Sequence, residues 1–399
     1  MALWFSASAV KPALQTAWNL SDTQASWLTI SVQLGFVVGA LASAVLNLSE
    51  RIAPQQLMAT CAFVGGLLNF LIPAVIDDEY ARGGEGFYGA LGLRFWTGVM
   101  LAGVYPTGMK LMATWFKERR GLAIGVLVGA LTLGSASPHL LNALPLDAWS
   151  RLSLGGVAAW RVVMMAASAS AMTAAVIASA FVRTGPHLPA AARFDWRYFA
   201  RAFTEPALRR ANFGYLGHMF ELYAMWTWAP QLLLASYAAA HWSQTSARLA
   251  GFATVAVGAA GCVIAGLAAD RAGRCWTTIA SLVASGLCAL VAGFLEGQPA
   301  LLTAVCLVWG FAVVADSAQF SAAVSELCDP RFVGTALTIQ TCAGFLLTTL
   351  TIRAVPAIRE TAGWPLAFGL LAFGPLFGIY HMFRLRSMPA AEKLAGGRR

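Results

Sequence analysis

Charge is what this sequence has least of. Asp, Glu, Lys and Arg together make up 11% of its 399 residues, less than half the roughly 25% of an ordinary soluble domain, and a water-soluble fold is excluded on that ground. Histidine is rare too. The five histidines show no zinc-type spacing against the seven cysteines (Cys61, Cys262, Cys275, Cys288, Cys306, Cys328 and Cys342), and no two cysteines form a CxxC pair. The cysteines lie in or beside apolar runs and read as small apolar residues, implying no metal site, no cofactor and no disulfide framework. A basic leader is also missing ahead of the first apolar run, which argues against a cleaved signal peptide.

What is present is apolar. Hydrophobic residues make up 58% of the chain and its mean hydropathy is +0.66. Runs of membrane-spanning length stand near 2–17, 23–47, 55–76, 87–115, 120–143, 157–182, 211–235, 248–269, 275–295, 299–325, 332–354 and 362–384, at about 20 residues per crossing. The expected fold is therefore all-α and integral to the membrane, with about twelve transmembrane helices. The first run is short, and the expectation is a start codon upstream and a shortened first helix.

Orientation follows from the loops. With the N-terminus cytoplasmic, the inside set is Arg51, Lys117, Arg119, Arg120, Arg183, Arg193, Arg197, Arg201, Arg209, Arg210, Arg271, Arg274, Arg331, Arg384, Arg386, Lys393, Arg398 and Arg399. The outside set is Arg82, Arg151, Arg248, Arg353 and Arg359. Eighteen against five places both termini in the cytoplasm, and the net charge of +9 reads as a topology signal, with no nucleic acid implied. The longest polar connection, 183–210, separates six-span halves at 1–182 and 211–386, leaving a cytoplasmic tail at 387–399. Its FDWRYFARAF stretch suits either a helix on the inner membrane surface or a solvated linker.

After span eight comes GLAADRAGR, Gly266 to Arg274, with Gly266, Asp270, Arg271, Gly273 and Arg274 in the pattern G-x-x-x-D-R-x-G-R. At the matching place after span two, LNLSERIAP keeps an acid and a base, Glu50 and Arg51, and lacks both glycines. Corresponding loops six spans apart indicate an internal repeat. On these residues the chain resembles the major facilitator superfamily of secondary transporters, and the resemblance extends to Arg94-Phe-Trp-Thr-Gly98 in span four and to Gly125, Gly129, Gly134 and Pro138 in span five. It implies two pseudo-symmetric six-helix halves around a cavity lined by spans one, two, four, five, seven, eight, ten and eleven, with the Gly266–Arg274 and Glu50–Arg51 loops as gating elements. Looser similarity to the nitrate, nitrite and cyanate permeases is set against the absence of a basic residue in span two, which makes nitrate a poor substrate candidate. Small residues four apart, at Gly35 and Gly39, at Gly121, Gly125 and Gly129, and at Gly374 and Gly378, are expected to let helices approach closely. Pro106, Pro138, Pro230 and Pro375 within spans, and Pro356 at the edge of one, are expected kinks.

An ionisable residue deep in a membrane faces a cavity or a partner. Lys110, Arg161, Glu326 and His381 lie near span ends and are expected to reach the interface. His218 and Glu221 share a face of span seven with Tyr215 and Met225, as either a proton-coupling pair or an internal hydrogen bond. Asp316 in span ten has Gln319 three residues on and must be protonated, paired or wet. Arg94 should meet an acid or an anionic substrate, and the resemblance implies a part in coupling; Lys11 and His139 are lesser candidates for contact with an anion. Gln33, Gln340, Trp226 and Trp228 are candidate cavity walls. The expected activity is alternating-access transport of a small organic solute, an anion among the candidates, across the inner membrane by a monomer, with a proton on Glu221 or Asp316 biasing the two states. An integral-membrane enzyme using His218 and Glu221 as acid and base is the alternative, weakened by the lack of any nucleophile motif.

Overall fold

In a computed structural model, residues 1–116, 120–144, 157–187, 195 and 197–398 are described. Of the charges used for orientation, Lys117, Arg119, Arg151, Arg193 and Arg399 lie outside them, as do the side chains of Glu50, Arg120 and Arg197. The described residues form helices and connections, without a strand.

Span one is split into Ala2–Ala9 and Lys11–Trp18 by a break at Val10, just before Pro12. Span two, Asp22–Val45, opens on a capping box in which Ser21 and Gln24 each accept from the other's backbone N–H, satisfying donors that a helix start leaves free. Span three is Pro54–Val75, span four Glu85–Leu101 and Tyr105–Trp115, span five Arg120–Ala143 and span six Ala159–Phe181. The FDWRYFARAF stretch supplies a short helix, Arg197–Thr204. Span seven is Pro206–Ala239, span eight Gln244–Ala256 and Gly258–Ala272, span nine Arg274–Ala292 and span ten Pro299–Ala315 and Ser317–Leu327. The helix Val333–Gly369 runs on towards Phe373–Arg386 and turns at Gly363, whose φ of 76° suits glycine. Spans eleven and twelve meet there, and the connection expected at 355–361 is helical, Pro356 included.

Nine of these segments are long and apolar enough to cross a membrane among the described residues, the last of them continuing through the Gly363 turn. Counting that one as two, and adding span one, split into two short helices, and span seven, rich in Trp and Tyr, gives the twelve positions that the sequence predicts. Pro138 and Pro230 sit inside helices, as expected; Pro356, expected at a span edge, is also inside one, as is Pro73, and Pro106 opens the second piece of span four, next to the break at 102–104.

The halves repeat one packing device. A Cβ at Gly98 would stand 2.0 Å from the Val32 carbonyl oxygen, and one at Gly35 would stand 1.9 Å from that of Phe95, so spans two and four touch backbone to backbone. In the second half Gly261 and Gly310 bring spans eight and ten together on the carbonyls of Phe311 and Thr254 in the same way. Without a hydrophobic drive between helices inside lipid, such close approach is a main source of association. Between halves, span five packs on span eight and span two on span eleven. A backbone neighbour cannot rotate aside, so Gly98→Ala should cost about 1–3 kcal/mol and lower the melting temperature of the detergent-solubilised protein. Gly92→Ala in the same helix meets nothing within 4 Å and should leave it unchanged; coincident melting curves for the two variants would contradict this packing.

Candidate functional site

Span seven rises beside span ten in the opposite sense, and the two present matched pairs. Trp309 and Asp316 are seven residues, or two turns, apart on span ten and so share a face. They meet Glu221 and His218 on span seven. His218 Nδ1 lies 2.9 Å from Asp316 Oδ1, with both side chains 1% exposed. Trp309 Nε1 donates to Glu221 Oε1 at 2.6 Å, and Ser285 Oγ of span nine donates to Glu221 Oε2 at 2.9 Å. The sequence joins His218 to Glu221; the structure gives each of them a different partner. Glu221 is held towards span nine with both oxygens occupied. His218 turns to Asp316, which stands at the break between the two pieces of span ten.

That second contact is close but unsaturated. At 2.9 Å it is an ion-pair distance, yet its alignment is too poor for a hydrogen bond: neither Asp316 oxygen nor His218 Nε2 has a hydrogen-bond partner within the protein. Buried polar atoms left this way are costly. Tyr215 and Phe320 flank the imidazole, with ring centroids 6.0 and 5.5 Å away. Gln319, expected beside Asp316, instead accepts from Arg274 Nη1 at 2.7 Å.

Arg94 is fully buried, and its guanidinium donates to the carbonyls of Leu28 (3.0 Å), Leu3 (2.6 Å) and Trp4 (2.6 Å), to Asn69 Oδ1 (3.0 Å) and to Ser6 Oγ (3.3 Å). Every acceptor is neutral. The residue meets no carboxylate among the described residues, and its rigid fork of donors ties spans one, two and three to span four. Lys11, by contrast, is a buried cation that does meet an acid: Nζ lies 3.2 Å from Asp22 Oδ1 and 3.4 Å from the ring centroid of Trp228. Asp22 also pairs with Arg359 of span eleven, and Trp228 donates to the Ile352 carbonyl at 3.0 Å. His139 is buried, with Nε2 unpartnered.

Between the halves lies an aromatic cluster: Trp4 and Phe5 of span one, Phe36 of span two, Tyr223 and Trp226 of span seven and Phe345 of span eleven, with ring centroids from 4.6 to 5.9 Å apart. Around it are buried polar atoms without hydrogen-bond partners, namely the indole nitrogens of Trp4 and Trp226, Gln33 Nε2 and both amide atoms of Gln340. Thr348 of span eleven donates to Gln33 Oε1 across the halves. Trp4, Phe5, Phe36, Tyr223, Phe345, Asp22 and Trp309 were not read as site residues from the sequence. The three-residue spacing of Tyr223 and Trp226, which puts both rings on one helical face, was the available signal.

At the turn from span eight to span nine, Gly273 adopts φ 95° and starts span nine, and Arg274 grips Glu326 of span ten with Nε to Oε2 at 2.7 Å and Nη2 to Oε1 at 2.5 Å. Glu326, expected to reach the interface, is one side of this bidentate pair. The tail joins it: the Ala395 N–H donates to Glu326, and Arg398 donates to the Asp270 carbonyl. Arg271 is exposed, as is Arg51 in the corresponding first-half loop. Three residues beyond Glu326, the Arg331 guanidinium, by hydrogen bonds, holds the exposed Asp329 carboxyl down at about 2, so this loop carries both charges at physiological pH. Among the described residues no group of His, Cys, Asp and Glu is placed to hold a metal ion.

A broken-helix bundle with unsaturated polar groups between two six-span halves is the architecture of a membrane carrier. Residues 1–237 match the family model described as Major Facilitator Superfamily, and residues 201–390 match the model described as Sugar (and other) transporter. Among solved structures the chain is similar to the MFS (major facilitator superfamily) proton:xylose symporter XylE bound to 6-bromo-6-deoxy-D-glucose, at 14% identity and a TM-score of 0.68, over 96% of this chain and 93% of that one. No curated protein sequence matches it. The chain belongs to the major facilitator superfamily of secondary transporters, and its family and fold are those of multi-pass membrane transporters.

Because Arg94 acts on neutral acceptors, its geometry matters more than its charge. Arg94→Lys keeps the charge and loses the fork, and each buried acceptor left unpaired costs about 1–3 kcal/mol. Arg94→Lys and Arg94→Gln should therefore lower thermal stability and yield to a similar degree; a lysine variant as stable as the native protein would show that charge alone suffices.

Proposed function

We propose that this protein is a proton-coupled carrier of a small organic solute, in which the Asp316–His218 pair takes up the coupling proton. The observation that carries the reading is the unsaturated contact at the break in span ten: two ionisable groups, each 1% exposed and 2.9 Å apart, with three of their polar atoms unpartnered. An ionised Asp316 so deep in the membrane is expensive to move away from its imidazole neighbour. A proton on Asp316 removes the carboxylate's charge and lets span seven part from span ten at lower cost, which shifts the balance between inward- and outward-facing states.

The halves 1–182 and 211–386 are the bodies that rock in this scheme, with 183–210 as the connector and 387–399 as the tail. The loop charges favour an inner-membrane protein with both termini in the cytoplasm. On that orientation the Asp22–Arg359 pair, and the bond from Arg248 Nη1 to the Asn142 carbonyl at 3.1 Å, close the outer face, since each joins one half to the other. Lipid and protons are the partners, and the carrier works as a monomer.

The solute site lies at the aromatic cluster, where ring faces can hold an apolar body while Gln33, Gln340 and the two indole N–H groups supply hydrogen bonds. Lys11 beside it suits a carboxylate. A sugar is the second reading, supported by the match of the second half to the sugar-transporter model and by those unpaired amides, whose paired donors and acceptors suit hydroxyl groups.

Thermal stabilisation by carboxylates, amino acids and monosaccharides would identify a ligand, and transport would then be followed in proteoliposomes. Asp316→Asn should abolish uphill accumulation under a proton gradient and retain counterflow exchange. Glu221→Gln, which can still accept from Trp309, should accumulate solute. If Asp316→Asn accumulates normally and Glu221→Gln does not, the proton belongs on Glu221; if neither variant nor the native protein shows counterflow of any ligand found, the carrier reading fails.

A further inference from the structure

A groove of about 560 Å3 runs down the outer surface between spans seven, eleven and twelve, lined among others by Leu216, Phe220, Leu347, Phe373, Phe377 and Tyr380. Its walls are apolar and face outward: Phe373 is 64% and Tyr380 54% exposed. At the end where span seven begins and span twelve finishes, the apolar lining gives way to positive charge. The Arg210 guanidinium lies 5.7 Å from the Tyr380 ring centroid, and its Nη1 is 3.0 Å from His381 Nδ1. Arginine can only donate, so His381 accepts and is a neutral partner. The imidazole is itself wedged among Phe213, Phe377 and Tyr380, with ring centroids 4.9, 4.3 and 5.1 Å away. Arg210 is thus held in place without being neutralised. Arg209 lies within coulombic reach of the same imidazole, and Arg384 follows His381 one turn on, exposed. Among the described residues no carboxylate is within ion-pair distance of any of these three arginines.

We infer that this groove is a binding site for one anionic phospholipid of the cytoplasmic leaflet, its acyl chain against Leu216, Phe220 and Phe377 and its phosphate on Arg210. Each half of the ligand has a matching surface. The apolar channel fits an acyl chain, and an oriented, uncompensated guanidinium at its mouth fits a phosphate, at the depth where Tyr380 stands as an interfacial aromatic. A zwitterionic lipid would bring its own cation to a cluster that already holds three, so the charge pattern selects an anionic headgroup. Because spans seven and twelve form the groove wall, a bound lipid braces span seven, the helix that carries His218 and Glu221.

The test uses the full-length protein, delipidated in detergent and titrated with phosphatidylglycerol or phosphatidylcholine, read by native mass spectrometry and by melting temperature. Phosphatidylglycerol should be retained as a single adduct and raise the melting temperature more than phosphatidylcholine does. Arg210→Gln should weaken its binding by about fivefold, Leu216→Trp should abolish the adduct by filling the groove, and Arg183→Gln, which removes a cytoplasmic arginine elsewhere, should change neither reading. Equal binding of the two lipids, an Arg183→Gln effect as large as that of Arg210→Gln, or equal stabilisation by inorganic phosphate alone would each overturn the site. None of these readings depends on transport, so the lipid site and the proton-coupled mechanism stand or fall separately.

Discussion

A polar group in the core of a bilayer has no water to turn to, and that constraint sorts the charges of this protein into two kinds. Arg94 is the well-satisfied kind: five contacts to neutral acceptors, three of them backbone carbonyls, engage all three nitrogens of its guanidinium. Asp316 and His218 are the unsaturated kind, close enough to attract and too poorly aligned to satisfy one another. Burial is nearly the same for all three. What separates a structural clamp from a candidate site is the count of partners, and only the first kind can be left undisturbed through a cycle.

The breaks in the helices decide where such groups sit. Continuous helices pair their own backbone groups and present side chains at fixed angles, whereas spans one, four, eight and ten are each made of two pieces. Asp316 occupies one junction, and Lys11 follows another. A break frees backbone groups and loosens the local geometry, which is tolerated in a membrane only where the segment is buried in protein or lines a cavity. The backbone-to-backbone contacts at Gly98 and Gly310 have the opposite effect. They fix span two on span four and span eight on span ten.

Much of this was legible in the residues. Apolar periodicity and loop charge locate the spans, and the repeat of an acid–base loop six spans apart reveals the halves, because both are local properties of the chain. The partners were not legible. His218 and Glu221 are three apart and share a face of span seven, but which neighbour each side chain meets depends on how spans nine and ten pack. Glu326 was discounted for its depth near a span end, yet Arg274 reaches it from the next span. Arg94's acceptors are mostly main-chain carbonyls of Leu3, Trp4 and Leu28, which every residue possesses and no motif announces.

The division between halves carries a mechanical consequence. The close unsaturated pair, Asp316 and His218, belongs to the second half, whereas in the first half Arg94, the most buried charge, is locked to neutral groups. If protonation drives the cycle, its direct effect falls on the contact of spans seven and ten alone. Span seven also carries Tyr223, Trp226 and Trp228, which meet Trp4, Phe5 and Lys11 across the seam. A shift of one helical face by a fraction of a side chain therefore moves ring contacts and the Lys11–Trp228 contact together, and Lys11 in turn touches Asp22, which holds Arg359 at the far end of span eleven. Packed aromatic contacts of this kind switch between arrangements rather than deforming smoothly, so span seven is the element through which a proton bound in one half can change the closure between both.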